Sequence, residues 1–228
     1  MLEFLQNAAP HLLANLALFI VLAFGFAVLS AYLRHLPGYV RQGGHGLLFG
    51  VMAVLCMTYP LVVQPGIIVD LRTVVVLMAA PFGGPLAGVI AGVIAGAYRL
   101  YLGGAGAPVG TATIVASALV GVLYSLRCGE LKSLRDALLL GVISAAITLP
   151  LFFLLPDIVD GPSFVARVGP VFAVLSPVAS AALWLIMSIE LKRRRADAAV
   201  ERSENRVRDI VDTASGWFWE MDAELRFT

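Results

Sequence analysis

Three ionisable side chains within long apolar stretches are the part of this sequence with the clearest capacity for chemistry. Asp70 and Arg72 begin one apolar segment, and Arg99 stands near the end of the next. Charged groups are costly in such segments and are therefore commonly functional. Two arginines with one aspartate leave one positive charge in excess. Because a guanidinium binds carboxylates and phosphates through paired hydrogen bonds, the pattern predicts a site for an anion.

A simpler interpretation of the same residues stays open. Asp70 and Arg99 can form an ion pair that only joins two helices, with Arg72 extending to the membrane interface. In either case the short loop at Gly83–Gly84 makes the two segments an antiparallel pair and brings the charges to one level. We expect Gln64 and the tyrosines Tyr98 and Tyr101 nearby.

A glycine ladder occupies the segment that ends in Arg99. Gly84, Gly88, Gly92 and Gly96 recur at every fourth position, so they share one face of a helix. Such small-residue stripes allow close approach of neighbouring membrane helices. We interpret the ladder as a packing surface, within one bundle or between protomers. A permeation path or moving gate is the functional alternative.

The composition excludes most classes of soluble protein. Of the 228 residues, 60% are hydrophobic and only 14% charged, against about a quarter charged in soluble domains. The net charge of +1 gives no basic field, so we expect no nucleic-acid partner. The sequence shows no metal-ligand spacing, phosphate-binding glycine loop or nucleophile–base set, so we expect no metal, cofactor or catalytic residue.

Hydropathy predicts an all-α membrane protein with about seven transmembrane helices in its first 189 residues. A crossing needs about 20 apolar residues. The third candidate is short and charged, and a half-helix that ends at the sequence PFGGP, Pro81–Pro85, is the alternative to a full crossing. The predicted segments are His11–Leu33, Gly46–Val63, Gly66–Ala80, Pro85–Leu102, Pro108–Leu126, Leu134–Leu155 and Val168–Ile189.

The distribution of Lys and Arg predicts the orientation of these segments. Nine lie at one set of helix ends, including the run Lys192–Arg195, and three at the other. Because cytoplasmic loops carry the excess of positive charge, we expect the N-terminus outside and the C-terminus in the cytoplasm of a bacterial inner membrane.

The last 39 residues are polar and hold 17 of the charged side chains. Residues 190–214 predict a cytoplasmic linker helix, and their apolar spacing favours a short parallel coiled coil and hence a homodimer. Residues 215–228 alternate aromatic and polar side chains, which is typical of the first strands of a further domain. The apolar spacing is formed by Val200, Ser203, Val207, Ile210 and Ala214.

The stretch Asp70–Tyr124 resembles the LytS-YhcK-type five-transmembrane receptor family, 5TMR-LYT. That family shows Asn/Asp-x-Arg at the head of one helix, then a glycine-laddered helix ending in Arg, then a Gly-Gly turn; here these are Asp70 and Arg72, Gly84–Gly96, Arg99 and Gly103–Gly104. Many members have Asn where this chain has Asp70. The resemblance extends over roughly residues 30–190, and residues 203–228 are similar to the opening of a PAS domain.

These resemblances imply the sensory front of a signalling protein, most simply a phosphorelay histidine kinase. A cyclic-di-GMP synthase or phosphodiesterase with a GGDEF or EAL domain is the alternative output. From the residues alone, a transporter and a plain dimerising anchor also remain open.

Overall fold

The computed structural model describes residues 2–58, 61–64, 67–69, 71–154 and 161–215. It divides into two units, Met1–Ser188 and Ile189–Thr228. The helices are α1 (Leu2–Tyr32), α2 (Gly38–Thr58), α3 (Arg72–Gly83), α4 (Pro85–Leu102), α5 (Ala107–Cys128), α6 (Leu134–Leu151) and α7 (Gly161–Ser215), and two short strands are β1 (Leu61–Gln64) and β2 (Ile67–Val69).

The prediction of an all-α membrane bundle is confirmed. Within the described residues, six helices are long and apolar enough to cross a bilayer. Their outer faces carry large apolar side chains such as Val93 and Leu139, which are 66% and 58% exposed. In water such surfaces are unfavourable, whereas in hydrocarbon they are the expected lining. The chain is therefore a multi-pass membrane protein.

The predicted extents of the second and third helices are wrong. The second, predicted as Gly46–Val63, extends from Gly38 to Thr58, and the third begins at Arg72 rather than Gly66. Between them β1 and β2 pair antiparallel, with Leu61 opposite Val69 and Gln64 opposite Ile67. Two runs rich in Val and Ile with Pro-Gly between them favour a hairpin over a helix, and that signal outweighed the apolar run.

Helix α3 is a half-helix, the alternative that the sequence analysis gives for the third segment. Its 12 residues extend about 18 Å, short of the roughly 30 Å hydrocarbon core. All of its residues except Phe82 are buried, and it packs against α2, α4 and α5. Because a chain end at membrane depth is stable only when protein covers it, α3 must lie inside the bundle rather than against lipid.

Helix α4 packs between α2 on one face and α3 and α5 on another. Glycines of α2 receive its isoleucines, since a Cβ at Gly46 would lie 2.8 Å from Ile90 Cβ and one at Gly50 2.7 Å from Ile94 Cδ1. A side chain at either glycine would push the helices apart. The interface therefore depends on small residues, as is usual where water does not drive association.

The turn between α3 and α4 is held by α2. Gly84 has φ of 97°, a backbone conformation that favours glycine, and a Cβ there would meet Gln42. Gln42 Oε1 accepts a hydrogen bond from Leu86 N at 3.0 Å. This amide oxygen satisfies one of the unpaired N–H groups at the start of α4.

We expect Gln42→Met to lower the free energy of unfolding by about 1 kcal/mol, because the Leu86 N–H loses its acceptor. Gln42→Glu is the matched control, since it keeps an acceptor oxygen and places a negative charge at a helix N-terminus. Unfolding in mixed micelles measures both. Equal destabilisation by the two variants would show that the amide oxygen does not cap α4.

Candidate functional site

Arg72 and Arg99 come from different helices and converge at one end of the bundle, which we call the arginine end. Arg72 is the first residue of α3, and Arg99 lies in the last turn of α4. Their side chains are only 5% and 2% exposed. The antiparallel α3–α4 pair, joined at Gly84, is what sets the two residues at one level.

Gly110, in the first turn of α5, is the point at which the two guanidinium groups meet. A Cβ built at Gly110 would lie 2.7 Å from Arg99 Nε and 3.1 Å from Arg72 Nη2. Both groups therefore lie directly against this part of the α5 backbone. Any larger residue at this position must displace at least one of them.

A hydrogen bond fixes Arg99 from the loop that follows α4. Arg99 Nη1 donates to the Gly103 carbonyl oxygen at 2.7 Å. Gly103 and Gly104 have φ of 65° and 88°, and this double-glycine turn lets the chain reverse into α5. Because the chain reverses at this turn, Gly110 of α5 lies beside Arg99 of α4.

Three threonines are close in sequence to Arg72 and to Gly110. Thr113 Oγ1 donates to the Gly110 carbonyl oxygen at 2.8 Å. Thr73 follows Arg72, is 5% exposed, and its hydroxyl has no hydrogen-bond partner among the described residues. The Thr111 hydroxyl, next to Gly110, is likewise buried and unpartnered within that part of the chain. Guanidinium groups and hydroxyls are both donors suited to oxyanions, and here the threonines neighbour Arg72 and Gly110 in the sequence.

Of the other predicted ligand-binding residues, the structure describes only the side chain of Tyr98. Tyr98 is half-buried and packs its ring against Tyr101, with centroids 6.2 Å apart and Tyr101 85% exposed. Gln64 ends β1, and its side chain lies outside the described part of the structure. Asp70 also lies outside the described residues. The arrangement that the structure does show is Arg72 and Arg99 at Gly110.

The glycine ladder of α4 makes its contacts within this chain. A Cβ at Gly88 would lie 2.7 Å from Ala80 Cβ of α3, and one at Gly92 2.9 Å from Ala118 Cβ of α5. Gly96 is looser, with Thr111 Cγ2 at 3.7 Å, and Gly84 forms the turn against Gln42. The ladder therefore lets α3 and α5 approach α4 closely enough for the arginine end to close.

Sequence reasoning missed Gly110 and the threonines. Gly110 lies within the predicted helix Pro108–Leu126, close to the bounds of α5, but the sequence analysis gave it no part in the site. One signal was available: a helix that starts three residues after a double glycine must lie beside the end of the preceding helix, where Arg99 stands.

Comparison with known proteins gives one match. The family model described as 5TMR of 5TMR-LYT matches residues 26–190. No curated protein and no solved structure matches the chain. The matched region includes α2 to α6, both arginines and the glycine ladder.

Proposed function

The chain belongs to the 5TMR-LYT family of membrane sensory input modules, and we propose that its signal is an anion bound between Arg72 and Arg99. The observation that carries this proposal is the convergence of two buried guanidinium groups on Gly110. A guanidinium group holds an oxyanion through paired, charge-assisted hydrogen bonds, and two such groups that meet at Gly110 offer donors from two helices to one ligand.

The proposal includes a direction for the signal. With nine Lys and Arg at one set of helix ends and three at the other, the arginine end faces outside, so the N-terminus lies outside and residues 190–228 in the cytoplasm of a bacterial inner membrane. A ligand that binds one packing of the bundle better shifts the population towards it. Helix α7 continues beyond the bundle to Ser215 and supplies a connection to an output domain.

The output belongs to the proposal as well. We assign residues 190–214 to a coiled coil that pairs two copies, and residues 215–228 to the start of a PAS domain in a phosphorelay histidine kinase. A cyclic-di-GMP synthase or phosphodiesterase is the alternative, and an attached kinase domain or an attached GGDEF or EAL domain distinguishes the two.

Ligand-dependent stability of the full chain in lipid nanodiscs tests the site. Acetate, succinate and inorganic phosphate are the probes, with acetamide as the uncharged counterpart of acetate. Saturation by a ligand at 100 times its Kd stabilises a protein by about 2.7 kcal/mol. We expect at least one anion to raise the Tm of the parent chain, and acetamide to have no effect.

Arg99→Met and Arg41→Met form the matched pair of variants. Arg41 is exposed on α2, away from the arginine end. We expect Arg41→Met to keep the Tm shift and Arg99→Met to lose it. The proposed site is wrong if no probe stabilises the parent chain, or if Arg99→Met responds as the parent does.

One observation favours a second candidate, a transporter. Half-helices such as α3, with charged groups at one end, are common at transporter binding sites. Uptake of labelled succinate or phosphate into proteoliposomes decides between the two. Accumulation above that of protein-free vesicles would support transport, and binding without uptake would support a receptor.

A further inference from the structure

The contact between α6 and α7 is a close approach of two backbones. A Cβ at Gly141 of α6 would lie 2.5 Å from Pro177 Cα and 2.9 Å from the Ser176 carbonyl oxygen. Because the atoms it would meet belong to the backbone of α7, no change of rotamer could make room. At this crossing, α6 has only a hydrogen atom between its own backbone and α7.

Two serines on one face of α7 differ in the hydrogen bonding of their hydroxyl groups. Ser176 Oγ donates to the Gly141 carbonyl oxygen at 3.2 Å. Ser180, one helical turn further on, is 0% exposed, and its hydroxyl has no hydrogen-bond partner among the described residues. Residues four apart lie on the same helix face, so Ser180 lies on the face of α7 from which Ser176 contacts α6.

We propose that α7 has two registers on α6, one turn apart, and that the switch between them transmits the signal. In the register observed, Ser176 bonds the Gly141 carbonyl. In the other, α7 has moved by one turn and Ser180 makes that bond. In each register, one serine hydroxyl is hydrogen-bonded to the Gly141 carbonyl and the other is not. The number of these hydrogen bonds is therefore the same in both registers.

The side chains along α7 permit the second register. The segment from Ser176 to Ala182 reads SPVASAA, so small residues replace Ser176 and Pro177 at the crossing after a shift of one turn. Contacts of α6 and α7 run antiparallel, with Gly169 beside Leu149 and Ser176 beside Gly141. A one-turn shift therefore moves Ser176 to the level of Ala145, which is buried and small.

Pro177 makes this part of α7 adaptable. Proline has no N–H, so α7 lacks one internal hydrogen bond at the crossing, and its ring disfavours a straight helix. Four residues at 1.5 Å each give a displacement of about 6 Å along α6. Displacements of one turn are an established form of two-state switch in proteins.

The inference rests on the chain being a sensory module and not on the identity or position of its ligand. Disulfide trapping in the full chain, with Cys56 and Cys128 replaced by alanine, measures the two registers directly. Leu149→Cys with Gly169→Cys reports the observed register, because a Cβ at Gly169 would lie 3.6 Å from Leu149 Cδ2. Leu149→Cys with Ala173→Cys reports the shifted one. Leu149→Cys with Val171→Cys, on another face of α7, gives the background rate.

Two chemically identical substitutions then give opposite results. Ser176→Ala removes the bond of the observed register, and Ser180→Ala removes that of the shifted register. Since a hydrogen bond between membrane helices is worth on average about 0.6 kcal/mol, each change should alter the ratio of 149–173 to 149–169 crosslinks about threefold. We expect a rise with Ser176→Ala and a fall with Ser180→Ala.

A serine that merely packs would give a different pattern. If both variants move the ratio in the same direction, or neither moves it, the two-register inference is overturned. It is also overturned if the 149–173 crosslink forms no faster than the 149–171 background. Because none of these measurements uses a ligand, they remain informative if anion binding at Arg72 and Arg99 is disproved.

Discussion

Gly121→Ala should destabilise the bundle by about 3 kcal/mol, the upper part of the usual range for overpacking. A Cβ at Gly121 of α5 would overlap the carbonyl oxygen of Leu77 in α3. Both partners of this contact are backbone atoms in helices, so relief requires the helices to separate. Separation would in turn uncover α3, which is buried almost all round and too short to stand in lipid alone.

Gly96→Ala is the matched control, because it adds the same methyl group to a glycine of the same bundle. Its Cβ would lie 3.7 Å from Thr111 Cγ2, which is an ordinary contact. We expect its free energy of unfolding to stay within about 0.5 kcal/mol of the parent, as for substitutions that disturb no packing. Unfolding in mixed micelles gives both values. Similar stability of the two variants would show that α3 and α5 can separate at little cost.

The contrast between Gly121 and Gly96 shows what sequence alone can and cannot supply. A repeat such as Gly84–Gly96 identifies a helix face with small side chains, because the spacing itself carries the signal. Gly121 has no glycine four residues away, and the stripe it shares with Thr113 and Ser117 is less conspicuous than a run of glycines. Its importance arises only because α3 lies against that face of α5, and the pairing of helices is a property of the assembled bundle.

Some helix ends could likewise be predicted from local sequence, whereas others could not. The predicted bounds of the fourth helix, Pro85–Leu102, agree with α4, because Gly84 and Gly103 mark both ends locally. The stretch from Gly46 to Ala80 was misassigned because hydropathy measures apolar content and not backbone conformation. Val-rich and Ile-rich runs satisfy a hydropathy window equally well as helix or as strand. The hairpin signal at Pro65–Gly66 lay within the apolar run.

The charged residues of the candidate site could be predicted from the sequence, but the residues that pack against them could not. Charged residues in apolar segments are conspicuous, and a short connection between two helices places their far ends at one level. The residue that packs against them is Gly110 at the start of α5, and a single glycine has no side chain whose chemistry would indicate a site. That Gly110 lies against both guanidinium groups follows only from the three-dimensional packing.

Gly110→Val therefore tests the geometry of the site separately from its charge. The variant keeps Arg72 and Arg99, but its side chain would occupy space 2.7 Å from Arg99 Nε, so at least one guanidinium group must move. Paired hydrogen bonds to an oxyanion depend on the placement of both groups, and each charge-assisted bond contributes about 1.5–3 kcal/mol. We expect the affinity for the anion that stabilises the parent chain to fall by at least a factor of about ten.

Titration calorimetry in nanodiscs measures that affinity, and Gly43→Val is the control because a Cβ at Gly43 meets nothing within 4 Å. Unchanged binding by Gly110→Val, together with loss of binding by Arg99→Met, would place the anion on Arg99 but away from Gly110. Loss in both variants, with Gly43→Val unaffected, would require the anion to contact the guanidinium groups where α5 holds them. The receptor site would then depend on how α3, α4 and α5 pack as well as on the charges they carry.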